Sequence, residues 1–284
     1  MKQPVVVITG GTRGIGYGLV RAFLQRQCRV MTCGRDAEQL AQGLWRLRDA
    51  TAADEARLQG QTCDVADPSA LQRLWDAAVE HFGGVDIWIN NAAVNSHEVD
   101  FWEHDPATIE QLIRINLLGT LHGCHIAARG MLAQGHGRIY TLEGWGSSNE
   151  RRRGSTLYGT SKAALRYFTR SLADELQGTP VRLGSINPGV VPTDLLALSI
   201  HDGKARQIRR FINIFGDTVD TVAPGLAERV LNDRRHGSRI RWLTPGRAIG
   251  RLLLAPFRQR TIIAPDSGTG PGDTVKEDRE DPGR

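Results

Sequence analysis

No apolar run in this 284-residue sequence approaches the length of a membrane-spanning helix. None of the four cysteines, Cys28, Cys33, Cys63 and Cys124, forms a C-x-x-C pair. That removes the common redox and zinc-ribbon patterns and leaves reduced, packed thiols, as expected in a cytoplasmic protein. The stretch HGCH (122–125) sets two histidines three apart, but no further ligands stand at suitable spacing, so no metal is expected. Internal repeats are missing. So are nucleic-acid recognition motifs, and nucleic acid is not an expected partner. The first strand-like run, PVVVITG, starts at Pro4. It leaves no space ahead of it for a charged region and an apolar one, so no signal or transit peptide is expected.

What is present is an ordinary globular balance, 40% apolar and 24% charged residues. The length fits one large domain with a full core. Net charge is +5, unevenly spread. From Ala264 to Arg284 six acids face three bases, a net −3, so the remainder carries +8. A basic body attracts phosphate-bearing cofactors or anionic surfaces without choosing among them.

Short β-branched runs occur at 5–9, 29–33, 56–63, 85–90, 138–142 and 181–186. Helix-length amphipathic segments separate them, among them 18–27, 69–82 and one long stretch, 106–133. This alternation predicts an α/β fold, a doubly wound parallel sheet with helices on both faces. After Pro188 the rhythm fades into loops and helices, and RIRWLT (239–244) could form a last strand. Residues 1–262 are read as one domain, and the Gly-, Pro- and charge-rich tail, 263–284, as disordered.

The first strand runs into TGGTRGIG (9–16). Gly10, Gly14 and Gly16 suit a tight turn, a close approach to pyrophosphate and close helix packing, with Thr12, Arg13 and Ile15 completing the loop. The second strand ends in CGRD, where Arg35 stands first. Arg35 and Arg13 suit the 2′-phosphate of NADP; the alternative is two solvated arginines with Asp36 capping the next helix. Asp64 and Val65, after the third strand, are placed to meet the adenine, or to make a plain turn. The fourth strand ends in NNAA (90–93), where Asn91 and Ala92 could lie against a cofactor and Asn90 could tie loops together.

These motifs, with Asn116, Tyr158-x-x-x-Lys162 and PGVVPTD (188–194), resemble the short-chain dehydrogenases/reductases in content and order across about residues 4–194. The resemblance implies a Rossmann fold, an NAD(P)(H) cofactor and a homo-oligomer, dimer or tetramer. Tyr158 and Lys162 share a helix face. The phenol would give a proton to a small-molecule carbonyl substrate, and the ammonium would lower the phenol's pKa and hold the nicotinamide ribose. Asn116 resembles the residue that holds a relay water. Pro188, Gly189, Val191 and Thr193 resemble the family's nicotinamide-side loop, with Thr193 on the amide.

One departure is local. The family places a serine at the end of the fifth strand. Here TLEGWGSS (141–148) offers Gly144, or Glu143, at that point, and the run to Tyr158 is slightly longer than usual. Ser147 or Ser148 could reach back, Glu143 could hold water or substrate or simply face solvent, or the protein could bind cofactor without turnover. A similar acid-Gly-x-Gly-Ser stretch marks the chlorophyll b reductases. They also resemble this chain at GVVPTDLL (189–196), at 211–223 and at RIRWLTPGRAIGRLL (239–253). That resemblance implies NADPH-dependent reduction of a ring formyl group to hydroxymethyl, with Gly144 making room for a large flat substrate. The alternative is a generic reductase of lipid-like or steroid-like carbonyls. Residues 189–262 would form a helical substrate wall or lid, beginning with a greasy helix at Leu195, Leu196, Leu198 and Ile200. From Arg234 to Arg260 eight arginines mix with Trp242, Ile249, Leu252, Leu253, Leu254 and Phe257. Such a stripe could rest peripherally on an anionic membrane, join copies, or stay solvated.

Overall fold

The computed structural model describes residues 3–193, 205–255, 257 and 260–263. The expected greasy helix at 195–200 and nearly all of the tail lie outside the described residues. In chain order the elements are β1 (Val5–Thr9), α1 (Gly14–Gln25), β2 (Arg29–Gly34), α2 (Ala37–Thr51), β3 (Leu58–Thr62), α3 (Pro68–Phe82) and β4 (Ile87–Asn90). Then come α4 (Pro106–Ile113), a π-turn (Arg114–Leu118), α5 (Gly119–Gln134), β5 (Gly137–Leu142), α6 (Thr156–Glu175) and β6 (Val181–Asn187). The chain closes with α7 (Ala205–Phe215), α8 (Val219–Asn232), β7 (Ser238–Arg241) and α9 (Pro245–Leu254).

All seven strands are parallel, in the order β3-β2-β1-β4-β5-β6-β7. The expected Rossmann-type doubly wound sheet is therefore observed. Side chains alternate along each strand, so β1 feeds two cores. Val5 and Val7 pack with Leu71, Leu74 and Trp75 of α3 and Met131 of α5. Val6 and Ile8 pack with Leu19 and Phe23 of α1 and Leu226 and Val230 of α8. The winding reverses between β1 and β4, which opens a crevice beyond their carboxyl ends.

Several boundaries shift from expectation, among them α1, which starts at Gly14, and β4, which starts at Ile87, and three shifts have a visible cause. The long helical stretch 106–133 is split by the π-turn, which contains Asn116. A π-turn inserts one residue and shifts the apolar stripe around the helix, but the chain stays helical on both sides, so the stretch still reads as helix from its sequence. β3 is shorter than 56–63 because Asp54 carbonyl accepts from Arg57 and Leu58 N–H and turns the chain there. β7 ends at Arg241 rather than Thr244, since Thr244 caps α9 through Arg247 N at 3.3 Å.

Candidate active site

Both ends of the site sit at the crevice. At the cofactor end, Gly10 has a φ of +70°, a left-handed backbone, and a side chain there would meet Ala92 Cα at 3.0 Å. A Cβ on Gly16 would stand 2.1 Å from the Gly10 carbonyl. Asn91 closes the crevice from the other strand. Its Nδ2 donates to the carbonyls of Thr9 (2.8 Å) and Gly10 (3.0 Å), and Thr9 Oγ1 accepts from Asn91 N and Ala92 N. Asp36, Asp67 and Asp105 cap α2, α3 and α4. α1 begins at Arg13 with no side-chain cap and no acid in its first turn. Glycine backbone pressed against a bare helix start fits a pyrophosphate.

Around that cradle, Arg13 and Arg35 are exposed, and Asp36 is engaged with Gln39 N at 2.8 Å. Asp36 thus caps α2, as the solvated-arginine alternative had it. The Thr12 methyl packs towards Gly34 and Gly43, and Ile15 packs on the α1-side core. Asp64 makes a turn, accepting from Ala66 N at 3.0 Å, while Val65 is buried and packs against Gly119. Pro188 and Val191 are buried; Gly189 has a φ of +75°; Thr193 lies beside Gly14. Asn90 is structural: its amide bonds Trp88 Nε1 (2.9 Å) and Cys124 Sγ (3.2 Å).

At the catalytic end, α6 presents Tyr158 and Lys162 one turn apart. Lys162 is buried, its Nζ donating to the Leu142 carbonyl at 3.3 Å and lying 5.6 Å from the Tyr158 ring centre. Burial pulls its pKa down to about 8, with the Glu143 charge offsetting part of that. Burial pushes the Tyr158 phenol up. The expected lowering by the ammonium is therefore not seen in the protein alone, where desolvation of the buried phenol sets the direction. Asn116, within the π-turn, accepts from Val94 N (2.8 Å) and donates to Val94 O (2.9 Å) and Ser161 Oγ (3.3 Å). It splints the loop after β4 to α6. Its own carbonyl accepts from Thr120 Oγ1 at 2.9 Å.

The stretch after β5 resolves into distinct roles. Gly144 faces the catalytic pair: a Cβ there would stand 2.5 Å from Tyr158 Oη and 3.2 Å from Lys162 Cε. The phenol leans into the space a serine's Cβ would fill. Ser147 is buried, and its Oγ accepts from Gly144 N at 3.0 Å, so it pins the loop at Gly144. Ser148 is drawn the other way, its Oγ accepting from Arg239 (2.6 Å) and Arg166 (3.2 Å). Glu143 is buried rather than facing solvent. Arg239 Nε donates to both its oxygens at 2.9 Å, Ser185 Oγ donates at 2.9 Å and Asn187 Nδ2 at 3.1 Å. With both oxygens occupied, the expected hold on water or substrate gives way to a clasp across β5, β6 and β7. Burial alone would raise this carboxyl, but the hydrogen bonds of Arg239, Asn187 and Ser185 hold it below the usual range.

Two residues of the site were not singled out from sequence. Arg239 lies in the last strand, and only the sheet order brings it to Glu143. Trp145 follows Gly144, packs edge-on to Phe211 at 6.3 Å, and keeps a buried indole N–H without a partner among the described residues. Its signal was its place in the strand-end loop.

The sequence pattern of the short chain dehydrogenase family matches residues 4–203. The probable chlorophyll(ide) b reductase NYC1, chloroplastic, of Arabidopsis thaliana is 32% identical over 269 residues, covering 89% of this chain and 53% of the relative. This chain thus spans about half the length of that relative. The chlorophyll(ide) b reductase NOL, chloroplastic, of Oryza sativa subsp. japonica is 31% identical over 257 residues, covering 87% of this chain and 74% of the relative. A solved short chain dehydrogenase from Burkholderia cenocepacia J2315 in complex with NADP has a TM-score of 0.71 at 25% identity, covering 84% of this chain and 96% of that one. The chain belongs to the short chain dehydrogenase family, whose members are oxidoreductases that bind NAD(P)(H).

Proposed function

We propose that the protein is an NADPH-dependent reductase of an aldehyde on a large flat substrate, in its sharpest form the ring formyl group of chlorophyll b. One observation carries the proposal: an intact Tyr158–Lys162 pair faces a residue, Gly144, that puts no side chain beside the phenol. The names of the two plant relatives support the substrate class. The cradle supports the cofactor: exposed Arg13 and Arg35 offer two guanidiniums to a 2′-phosphate. When bound, the nicotinamide supplies a hydride to the carbonyl carbon. Tyr158 donates the proton that completes the alcohol. Lys162, with a pKa near 8, is mostly protonated at neutral pH and stabilises the phenolate left behind. In this reading Asn116 fixes the floor of the site, Ser147 sets the height of Gly144, and Thr193 lies on the nicotinamide side. Residues 189–262 wall the substrate, and the working form is a homo-oligomer.

The test is reduction of detergent-solubilised chlorophyll b by purified protein and NADPH, with the pigment separated by chromatography. The hydroxymethyl product is expected. Tyr158→Phe should lose turnover by about 1,000-fold while still binding NADPH. No product from protein that binds NADPH sinks the chlorophyll substrate, and a panel of simpler aldehydes then defines the pocket.

A further inference from the structure

Helix α6 lies along β5 residue against residue. Lys162 Nζ donates to the Leu142 carbonyl at 3.3 Å, Arg166 approaches Glu143 at 3.8 Å, and Thr169 Oγ1 meets Thr141 Oγ1 at 2.8 Å. Positions i, i+4 and i+7 share one helix face, and the alternation of the strand turns Glu143 to the same side as Thr141. Lys162 touches the chain on both sides of the acid. Its ammonium rests on the carbonyl before Glu143, and its stem passes Gly144 after it, where a Cβ would stand 3.2 Å from Lys162 Cε. The other groups around this spot bring no second anion among the described residues. Tyr158 and Arg166 come from α6, and Arg239 and Arg241 from β7. On this face β6 offers uncharged Ser185 and Asn187. Glu110 of α4 pairs with Arg114 of the π-turn, Glu98 pairs with Arg152, and Glu150 accepts from Gly146 N and Ser148 N.

We propose that Glu143 is a positioning residue for the reduction: its buried charge keeps Lys162 an ammonium beside Tyr158. This role rests on the reading of Tyr158 as the proton donor. Burial strips the lysine of water and favours the neutral amine. Arg166 and Arg239 add positive charge to the same space. The carboxylate is what opposes them, and it can do so only while it is ionised. Arg239, Ser185 and Asn187 see to that by donating to its oxygens. A carboxylate without those donors, buried this far, would take up a proton and lose its hold on the lysine. The clasp therefore maintains a charge whose effect is felt across the site, at the helix. With that charge removed, Lys162 would lose its proton nearer neutrality, and a neutral amine leaves the phenolate of Tyr158 unsupported.

The chain has four lysines, Lys2, Lys162, Lys204 and Lys276, so isotope-labelled lysine gives a simple NMR spectrum of the full-length protein. The Lys162 signal is the one lost in Lys162→Met. In Glu143→Gln its titration should move down by about one pH unit. Glu143→Asp keeps the charge and should hold it near the wild-type value. Glu143→Gln/Arg239→Gln leaves no bare ion to unfold the chain. It should show the same downward shift, because Arg239 lies two strands from β5, beyond Glu143. With NADPH and an aldehyde that the wild type reduces, kcat of Glu143→Gln should approach the wild-type value near pH 6 and fall about ten-fold below it above pH 8. A clasp that only held strands together would lower kcat evenly across pH. A Lys162 titration unmoved in both Gln variants, or a kcat loss equal at every pH, overturns the proposal. If no aldehyde is reduced, the proposed function fails by itself and the lysine titration still decides the role of Glu143.

Discussion

Gly144 decides how Tyr158, the proposed proton donor, sits. Restoring the family's serine with Gly144→Ser puts a Cβ 2.5 Å from Tyr158 Oη, so the phenol must move. A misplacement on that scale costs about 100-fold in turnover. We expect kcat to fall by that order with NADPH affinity unchanged, read by steady-state kinetics and cofactor fluorescence; an active serine variant would show that the phenol has room. Lys162 gives a second outcome. Its pKa in the folded chain lies below the unfolded one, so below about pH 8 the fold carries the full cost of a buried ammonium. Lys162→Met should abolish turnover yet raise stability at pH 7 by about 1–2 kcal/mol. The gain should shrink as pH rises past 8, when the wild-type amine loses its proton. Thermal melts across that range check it. At this scale the Tyr–Lys pair was legible, because four residues make one helical turn. The hydroxyl of Ser147 was not, because its direction is set by the turn at Gly144–Ser147 and not by its place in the sequence.

Among the elements, the clasp of Glu143 joins three strands. The acid directly follows β5, Ser185 and Asn187 belong to β6, and Arg239 to β7. Arg166 of α6 approaches at 3.8 Å. Glu143→Gln keeps the shape and removes the charge, leaving Arg239 in a half-buried site without its anion. A loss of about 3 kcal/mol is expected at neutral pH. The wild-type carboxyl is held below its usual range, so its contribution is present above that range and lost as pH falls through the folded value. The gap between wild-type and variant melting temperatures should therefore close towards acid pH. A gap that stays constant with pH would assign the loss to packing. The strands themselves were readable from β-branched runs, and the helices from their spacing. The π-turn was not, and neither was the β5–β7 contact, since no local pattern announces which strand lies two places away in a sheet.

For the whole molecule, the doubly wound parallel sheet was legible from alternation and right-handed crossovers, and the charge from composition, while the strand order came only with the structure. What composition could not give was direction: Arg251 of α9 turns inward to the buried Asp217, while Arg247 stays exposed. The charge that remains exposed bears on the cofactor. NADPH carries one more phosphate than NADH, so its binding should weaken more steeply with added salt. Arg35→Ala should weaken NADPH by about ten-fold, spare NADH, and flatten that difference in salt response. Titrations at several ionic strengths measure it. Equal weakening of both nucleotides would leave Arg35 a solvated arginine.

The clasp has a consequence for manufacture. Glu143 and Arg239 are separated by 96 positions along the chain. During synthesis the acid emerges long before the cation that neutralises it. The N-terminal strands can pair as they emerge, but the α1 side of their core waits for Leu226 and Val230 of α8. The end of the fifth strand cannot close against water until the seventh arrives, because closing early would trap a bare carboxylate. On the proposed reading the reacting centre is therefore finished last, and a chain cut short of its final strand is expected to leave Glu143 without Arg239 beside Tyr158 and Lys162.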